Sequence, residues 1–516
     1  MKLLLHLLAA LSLSAALSLS AAPKTNVLFC IADDASLDFG AYGCSWVATP
    51  NFDRVAREGV LFNRAYTPNA KCAPSRAIIL TGRNSWQLEE AANHMPVFPA
   101  KFVGWMEGLA ANGYETVHTG KGWGPGTTPG RQITGKRYSS KSKKPPARGI
   151  SKNDYAGNFA DFMAARDAAK PWAFWYGTTE PHRGYEFKSG VNKNGRKLSD
   201  IPRVPAYWPD SETVRHDMLD YGMEVEHFDN HLGQILKTLE DQGQLENTLV
   251  IVTSDHGRPA PRQKGQAYEG SNHIPFAVMW KGKITHENRK VDDFVNFSEL
   301  AATILDAAEV STEQAGMQPL TGKSIVPLLM SDKSGQIDPA RDHVLVGKER
   351  HDYGRPNNGG YPIRGIIKDD FLYLENFEAE RWPAGDPITG YLNCDGGPTK
   401  TEILNLRRSG SNTQFWELCF GKRPPVEFYR ISKDADCINN LAKNPEYQQK
   451  MAALKAEMYD KLKAQQDPRI LGNGKIFDEY GFFNPGYLNY YEKFIGGKKD
   501  YKGWVNKSDY ENETLE

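Results

Sequence analysis

The sequence predicts an α/β fold. A large, mainly parallel sheet is covered by helices on both faces, and a smaller α+β subdomain with a short antiparallel sheet stands at the C-terminal end. Two patterns predict it. Apolar runs of strand length alternate with helical periods over the first two-thirds of the chain, the order that produces parallel strands joined by crossover helices. Clusters of chemically active side chains follow directly on several of those runs, as ligand-binding groups do at the carboxyl ends of strands in open α/β sheets.

Taken in order, Asn26–Ala32 is an apolar run suited to burial on both faces. Val60–Tyr66, Tyr114–Thr119, Trp172–Gly177, Thr248–Ser254 and Pro275–Trp280 are the further strands. Helices are expected at Phe52–Glu58, Phe102–Asn112, Ser211 to Gln242 and Phe297–Ala308. Gly122–Lys152 is aperiodic and rich in Gly, Pro, Lys and Ser, and reads as a long surface loop near the site. A boundary falls near Ser331–Ala340. Beyond it, His343–Gly347 and Tyr361–Phe377 read as strands, and Glu446–Gln465 as an amphipathic helix. The tail from Ile470 is crowded with aromatics and is expected to pack back onto the body. The expected division is a catalytic domain at 23–335 and a C-terminal subdomain at 336–516.

Residues 1–22 have the form of a secretory signal. Lys2 precedes the apolar Leu3–Leu17, and Ser20-Ala21-Ala22 supplies small residues before a cut at Pro23. The expectation is export, periplasmic or secreted, with no membrane span. Among 516 residues, 63 basic and 63 acidic side chains balance, which argues against a nucleic-acid partner. Six cysteines remain in an oxidising compartment. Cys30 reads as a buried small hydrophobe, and Cys394 with Cys419 is one candidate pairing.

Four clusters follow predicted strands: Asp33-Asp34, Lys121, Thr178–His182 and Asp255-His256. Asp33, Asp34 and Asp255 offer hard oxygens to a divalent cation, with His256 able to complete the shell; such a set favours calcium or magnesium over zinc. The bland alternative for each aspartate is a helix cap or a turn. Pro74 suits the first position of a helix, so a group just ahead of it meets unpaired N–H donors and the positive helix end. Arg76 carries planar donors for an oxyanion.

The run Cys72-Ala73-Pro74-Ser75-Arg76, continued by Leu80-Thr81-Gly82-Arg83, resembles the type I sulfatase motif. The resemblance implies an alkaline-phosphatase-like fold. It implies that a formylglycine-generating maturation enzyme oxidises Cys72 to 3-oxoalanine, and that Asp33, Asp34, Cys72, Asp255 and His256 hold Ca2+, with Mg2+ as the alternative ion. By the same resemblance, Lys121 in Gly120-Lys121-Gly122 and Lys264 in Lys264-Gly265-Gln266-Ala267-Tyr268-Glu269-Gly270 hold the sulfate. His182 in Glu180-Pro181-His182-Arg183 resembles the family's Pro-His segment, which implies that it protonates the leaving group, the bland alternative being a structural hydrogen-bonder in a loop. The segments around Lys121 and His182 look most like heparan N-sulfatase (sulfamidase)-like bacterial members. One departure stands out: many members carry a histidine two residues after the lysine, where this chain has Trp123. Indole accepts no proton, so the base that ends the cycle must lie elsewhere, with His118, a metal-bound oxygen or water as candidates.

Arg183, His351 and Arg355 are candidates to grip a sugar carboxylate or a second sulfate, and His273 to line the substrate pocket. The expected substrate is a sulfated carbohydrate. The rival readings are a phosphate or phosphonate ester hydrolase of the same superfamily, and a non-catalytic glycan-binding protein.

Overall fold

A computed structural model describes residues 24–515; the signal-like segment at 1–22 lies outside the described residues. The described residues form fourteen strands. They are β1 Asn26–Ala32, β2 Val60–Phe62, β3 Ala65–Tyr66, β4 Glu115–Gly120, β5 Lys136–Arg137, β6 Trp172–Gly177 and β7 Thr248–Ser254. After them come β8 Phe276–Met279, β9 Arg289–Val291, β10 Val295–Asn296, β11 His343–Lys348, β12 Ile363–Lys368, β13 Phe371–Asn376 and β14 Val426–Arg430. The main sheet has eight strands in the order β5-β4-β6-β1-β7-β8-β2-β9. The first five are mutually parallel, and β8 alone runs against its neighbours.

β1 sits in the middle and is buried along its whole length. Leu28, Cys30 and Ala32 enter the core beneath the helices Pro50–Arg57, Tyr155–Ala165 and Glu212–Asp241. Val27, Phe29 and Ile31 enter the core beneath Cys72–Thr81, Trp105–Ala111 and Glu299–Ala307. Period-two alternation on an all-apolar strand thus builds both cores at once.

The C-terminal part holds an antiparallel sheet, β11-β12-β13-β14, against which the helix Gln448–Ala464 packs through Met451, Leu454, Met458 and Leu462. The aromatic tail folds back as expected. Phe482, Tyr490, Phe494 and Tyr510 cluster around Tyr353 and Leu392, and the buried Arg350 guanidinium lies 3.9 Å from the centre of the Phe482 ring.

Three local expectations change. Val60–Tyr66 is two strands, because Asn63 and Arg64 break the apolar run and β3 pairs with β10 instead. The helix carrying the cysteine motif begins at Cys72, so Pro74 is its third residue and not its first. The early N–H groups of a helix have no intrahelical partner, which is why proline is accommodated there too. The candidate disulfide does not form: Cys394 and Cys419 are separate, buried thiols.

Candidate active site

The four clusters at the strand ends meet in one crevice. Asp34, which follows β1, has φ 75°. This left-handed turn, which aspartate tolerates better than most residues, brings its N–H within 2.9 Å of Asp255 Oδ1. Cys72 opens its helix with the thiol 3.3 Å from His256 Nε2 and 3.9 Å from Asp34 Oδ1. Gly120 makes the approach of Lys121 feasible: its φ is 76°, and a β-carbon there would stand 2.0 Å from the Gly177 carbonyl oxygen. Lys121 then donates to both oxygens of Asp33, at 2.7 and 2.6 Å.

Arg76 is fully buried and fully engaged. It donates through Nε to Asp255 at 2.8 Å and through Nη2 to Asp33 at 3.3 Å. Its Nη1 reaches the carbonyls of Lys121 and Gly122, at 3.1 and 2.8 Å. The guanidinium therefore braces the carboxylates. Ser75 adds a bond from Oγ to the Asp255 carbonyl at 2.6 Å.

Lys264 is clamped between two carboxylates, Asp34 Oδ2 and Asp395 Oδ2, each at 2.6 Å. Burial alone would lower its pKa, but Asp34 and Asp395 outweigh burial and keep the ammonium protonated well beyond its ordinary range. Burial pushes the Cys72 thiol up, yet Lys121, Lys264 and His256 prevail and hold it well below the ordinary thiol value. The position therefore favours a negatively charged group.

The donor set can hold a divalent cation. Asp34, Cys72, Asp255 and His256 each present a ligand atom within 4.8 Å of the others. Since a carbonyl only accepts, the 3.0 Å contact from His256 Nδ1 to the Gly257 carbonyl makes Nδ1 the donor and turns Nε2 toward the carboxylates. Metal-binding imidazoles are commonly held in this way.

His182 is held similarly. Nδ1 donates to the Arg183 carbonyl at 2.8 Å, and Nε2 faces Asp34 and Asp395, 3.9 Å from each. The Trp123 indole donates to the Ala73 carbonyl at 2.9 Å, tying this loop to the start of the helix that Cys72 opens. His118 bonds the Gly135 carbonyl at 3.1 Å and is lowered by burial; the structure gives it no contact with the crevice.

The four residues expected to contact substrate all have partners inside the protein. Arg183 is closed on Asp217 at 2.5 and 2.7 Å. His273 is fixed by Glu269 at 2.6 Å and the Asn63 carbonyl at 2.8 Å, and stacks on Tyr66. His351 is buried behind the site on Asn69 at 2.7 Å. Arg355 is buried on the carbonyls of Trp382 and Pro383. His351 and Arg355 are buried, while Arg183 and His273 are held by the carboxylates of Asp217 and Glu269. Asp395 went unrecognised in the sequence. It lies in Cys394-Asp395-Gly396-Gly397, where an aspartate before glycines reads as a turn, and its partner Lys264 is 131 residues away.

Known proteins resemble the chain along most of its length. An ulvan-active sulfatase of Formosa agariphila is 25% identical over 495 residues, covering 88% of this chain and 78% of that one. Human N-sulphoglucosamine sulphohydrolase is 26% identical over 490 residues, covering 89% of this chain and 94% of the human protein. Two solved structures share the fold. One, bound to its substrate D-glucosamine-2-N,6-O-disulfate, has a TM-score of 0.59 at 19% identity, covering 86% of this chain and 98% of its own. The other, a phosphonate monoester hydrolase of Agrobacterium radiobacter, has a TM-score of 0.58 at 19% identity, covering 86% and 96%. The Sulfatase family model matches residues 25–310, more than half the length, and this chain belongs to that family.

Proposed function

We propose that this sulfatase releases sulfate from sulfated carbohydrates, acting on an ester or a sulfamate, after its Cys72 has been converted to formylglycine by a dedicated oxidising enzyme. The observation that carries the reading is the position of Cys72. It stands at a helix start, among three aspartates, His256 and the ammonium groups of Lys121 and Lys264. The names of relatives support the substrate class: one is an ulvan-active sulfatase and another an N-sulphoglucosamine sulphohydrolase. The signal-like segment supports export.

Formylglycine at position 72 would supply a hydrated aldehyde as the nucleophile toward sulfur, and calcium held by Asp34, Asp255 and His256, with Asp33 alongside on Lys121, would supply Lewis acidity beside it. Lys121 and Lys264 set positive charge where the sulfuryl oxygens gather charge, already oriented before substrate arrives. Arg76 holds Asp33 and Asp255 in place. Asp395 fixes Lys264 from the side opposite Asp34. His182 hands the proton on Nε2 to the departing oxygen or nitrogen, its ring orientation set by the Arg183 carbonyl. Trp123 takes no proton, and its N–H is engaged on Ala73.

Sulfate release by the wild type and by Cys72→Ala, with the intact mass of the peptide spanning residue 72, tests this reading. The expected result is an aldehyde mass, turnover of sulfated glucosamines, and none by the variant with its fold retained. Wild-type sulfate release by Cys72→Ala excludes the mechanism. Fast cleavage of phosphonate esters, with no sulfate released from any carbohydrate, excludes the function.

A further inference from the structure

A cavity of about 830 Å³ opens beside the catalytic crevice, within the size range of pockets that hold small ligands. Its wall starts one residue past two of the site's side chains. Arg183 and Gly184 follow His182, and Gly396 and Gly397 follow Asp395. The cavity therefore adjoins the side of the crevice where the leaving group is protonated.

The two features of this wall that ordinarily take an anion are already occupied. Arg183 closes on Asp217 with both of its terminal nitrogens, at 2.5 and 2.7 Å. The same carboxylate also accepts from the Thr399 hydroxyl at 2.5 Å and the Thr399 N–H at 3.4 Å, which fills the N-terminal turn of the helix Pro398–Ser409. Asp220 and Glu402 line the cavity as well. Three carboxylates face the Arg183 guanidinium and the Lys188 ammonium, which stands 5.6 Å from the centre of the Phe187 ring, and the remaining negative charge disfavours a uronate or a second sulfate. The remaining chemistry suits an uncharged ligand. Phe187 lines the cavity with 45% of its surface exposed, an apolar platform among polar groups. Glu402, which accepts from Ser211 through Oε2 at 2.9 Å, and Asn405 supply hydrogen-bonding groups for hydroxyls.

We infer that this cavity is a subsite for an uncharged sugar in the same substrate chain, stacked on Phe187 and hydrogen-bonded by Glu402 and Asn405. The enzyme then selects oligosaccharides whose sulfated unit is joined to a neutral one. The inference rests on the reading of the crevice as a sulfated-carbohydrate site.

Calorimetric titration of the full chain tests it, with cellobiose, lactose and chitobiose as neutral probes and an unsulfated glucuronate-containing disaccharide as the anionic one. A neutral disaccharide is expected to bind at least about tenfold more tightly than the uronate. Phe187→Ala and Glu402→Gln are each expected to weaken it about five- to tenfold, with folding checked by thermal melting. The inference is overturned if no neutral probe binds, if the uronate binds as tightly, or if both variants bind like the wild type. Wild-type sulfate release from 4-nitrophenyl sulfate and from sulfated glucosamines, run alongside, separates the two levels. Release from the sugars without disaccharide binding removes the subsite alone, whereas no release from any carbohydrate removes the site reading and the subsite with it.

Discussion

Replacing Arg76 with methionine should weaken the fold more than it changes its shape, and a bound divalent cation should partly reverse the loss. The guanidinium is fully buried and bonds two carboxylates, Asp255 at 2.8 Å and Asp33 at 3.3 Å. Hydrogen bonds to charged groups are worth about 1.5–3 kcal/mol each, so the pair suggests about 3–6 kcal/mol. Removing one partner from a buried ion pair costs about 3–5 kcal/mol, which agrees. At roughly 2 cal/mol/K of unfolding entropy per residue, a loss of about 4 kcal/mol moves the midpoint of a unit this long by about 4 °C. The assay is thermal melting of Arg76→Met and wild type in a chelator and again with excess calcium. In the chelator, Asp33 and Asp255 face each other without their shared cation. With calcium, a different positive charge stands between them and the gap should shrink by about half. Melting within about 1 °C of the wild type in the chelator, or a gap unmoved by calcium, refutes the reasoning.

Other outcomes follow from single contacts. His182→Ala should slow release from alkyl sulfates about a hundredfold or more, and from 4-nitrophenyl sulfate far less, because a phenolate needs little help in leaving; equal losses on both remove His182 as the acid. Asp395→Asn should lower kcat/KM for a sulfated sugar by roughly tenfold or more, since Lys264 loses one of its two 2.6 Å carboxylate partners; an unchanged value shows that Asp34 alone positions the lysine. His231 is pushed down to about 4, first by burial and then by His227. Its folded pKa lies below the unfolded value near 6.5, so the unfolded chain takes up the proton first. The stability this group contributes is complete above about pH 6.5 and is lost as pH falls toward about 4, by about 2–3 kcal/mol. Urea titrations at pH 7.5 and 4.5 should therefore show a smaller pH effect in His231→Gln, and an identical effect in both proteins counts against it.

Much of this architecture was legible because it is written locally. β1, β6 and β7 match their apolar runs end to end, since a strand buried on both faces tolerates no polar interruption. The stretch Tyr361–Phe377 resolves into β12 and β13 around Asp369, whose φ of 54° makes the turn. The positions of Asp33, Lys121, His182 and Asp255 could be read because the ends of neighbouring parallel strands lie side by side. Contacts between distant segments were another matter. Nothing near Arg183 announces Asp217, nor anything near Lys264 the carboxylate of Asp395. Arginine and histidine near a site look like ligands in sequence. Only packing shows that Arg355 and His351 already have internal partners.

The clamp on Lys264 has a consequence for the order of events in synthesis. One jaw comes from the end of β1 and the other from residue 395, after the third strand of the C-terminal sheet. A ribosome that has released the whole cysteine motif still has hundreds of residues to make before the second jaw exists. Through that interval the sulfur of residue 72 has yet to acquire its native cover, and in the finished protein only 2% of the residue remains exposed. The conversion proposed for that atom would then have a natural deadline, set by the arrival of the last third of the chain.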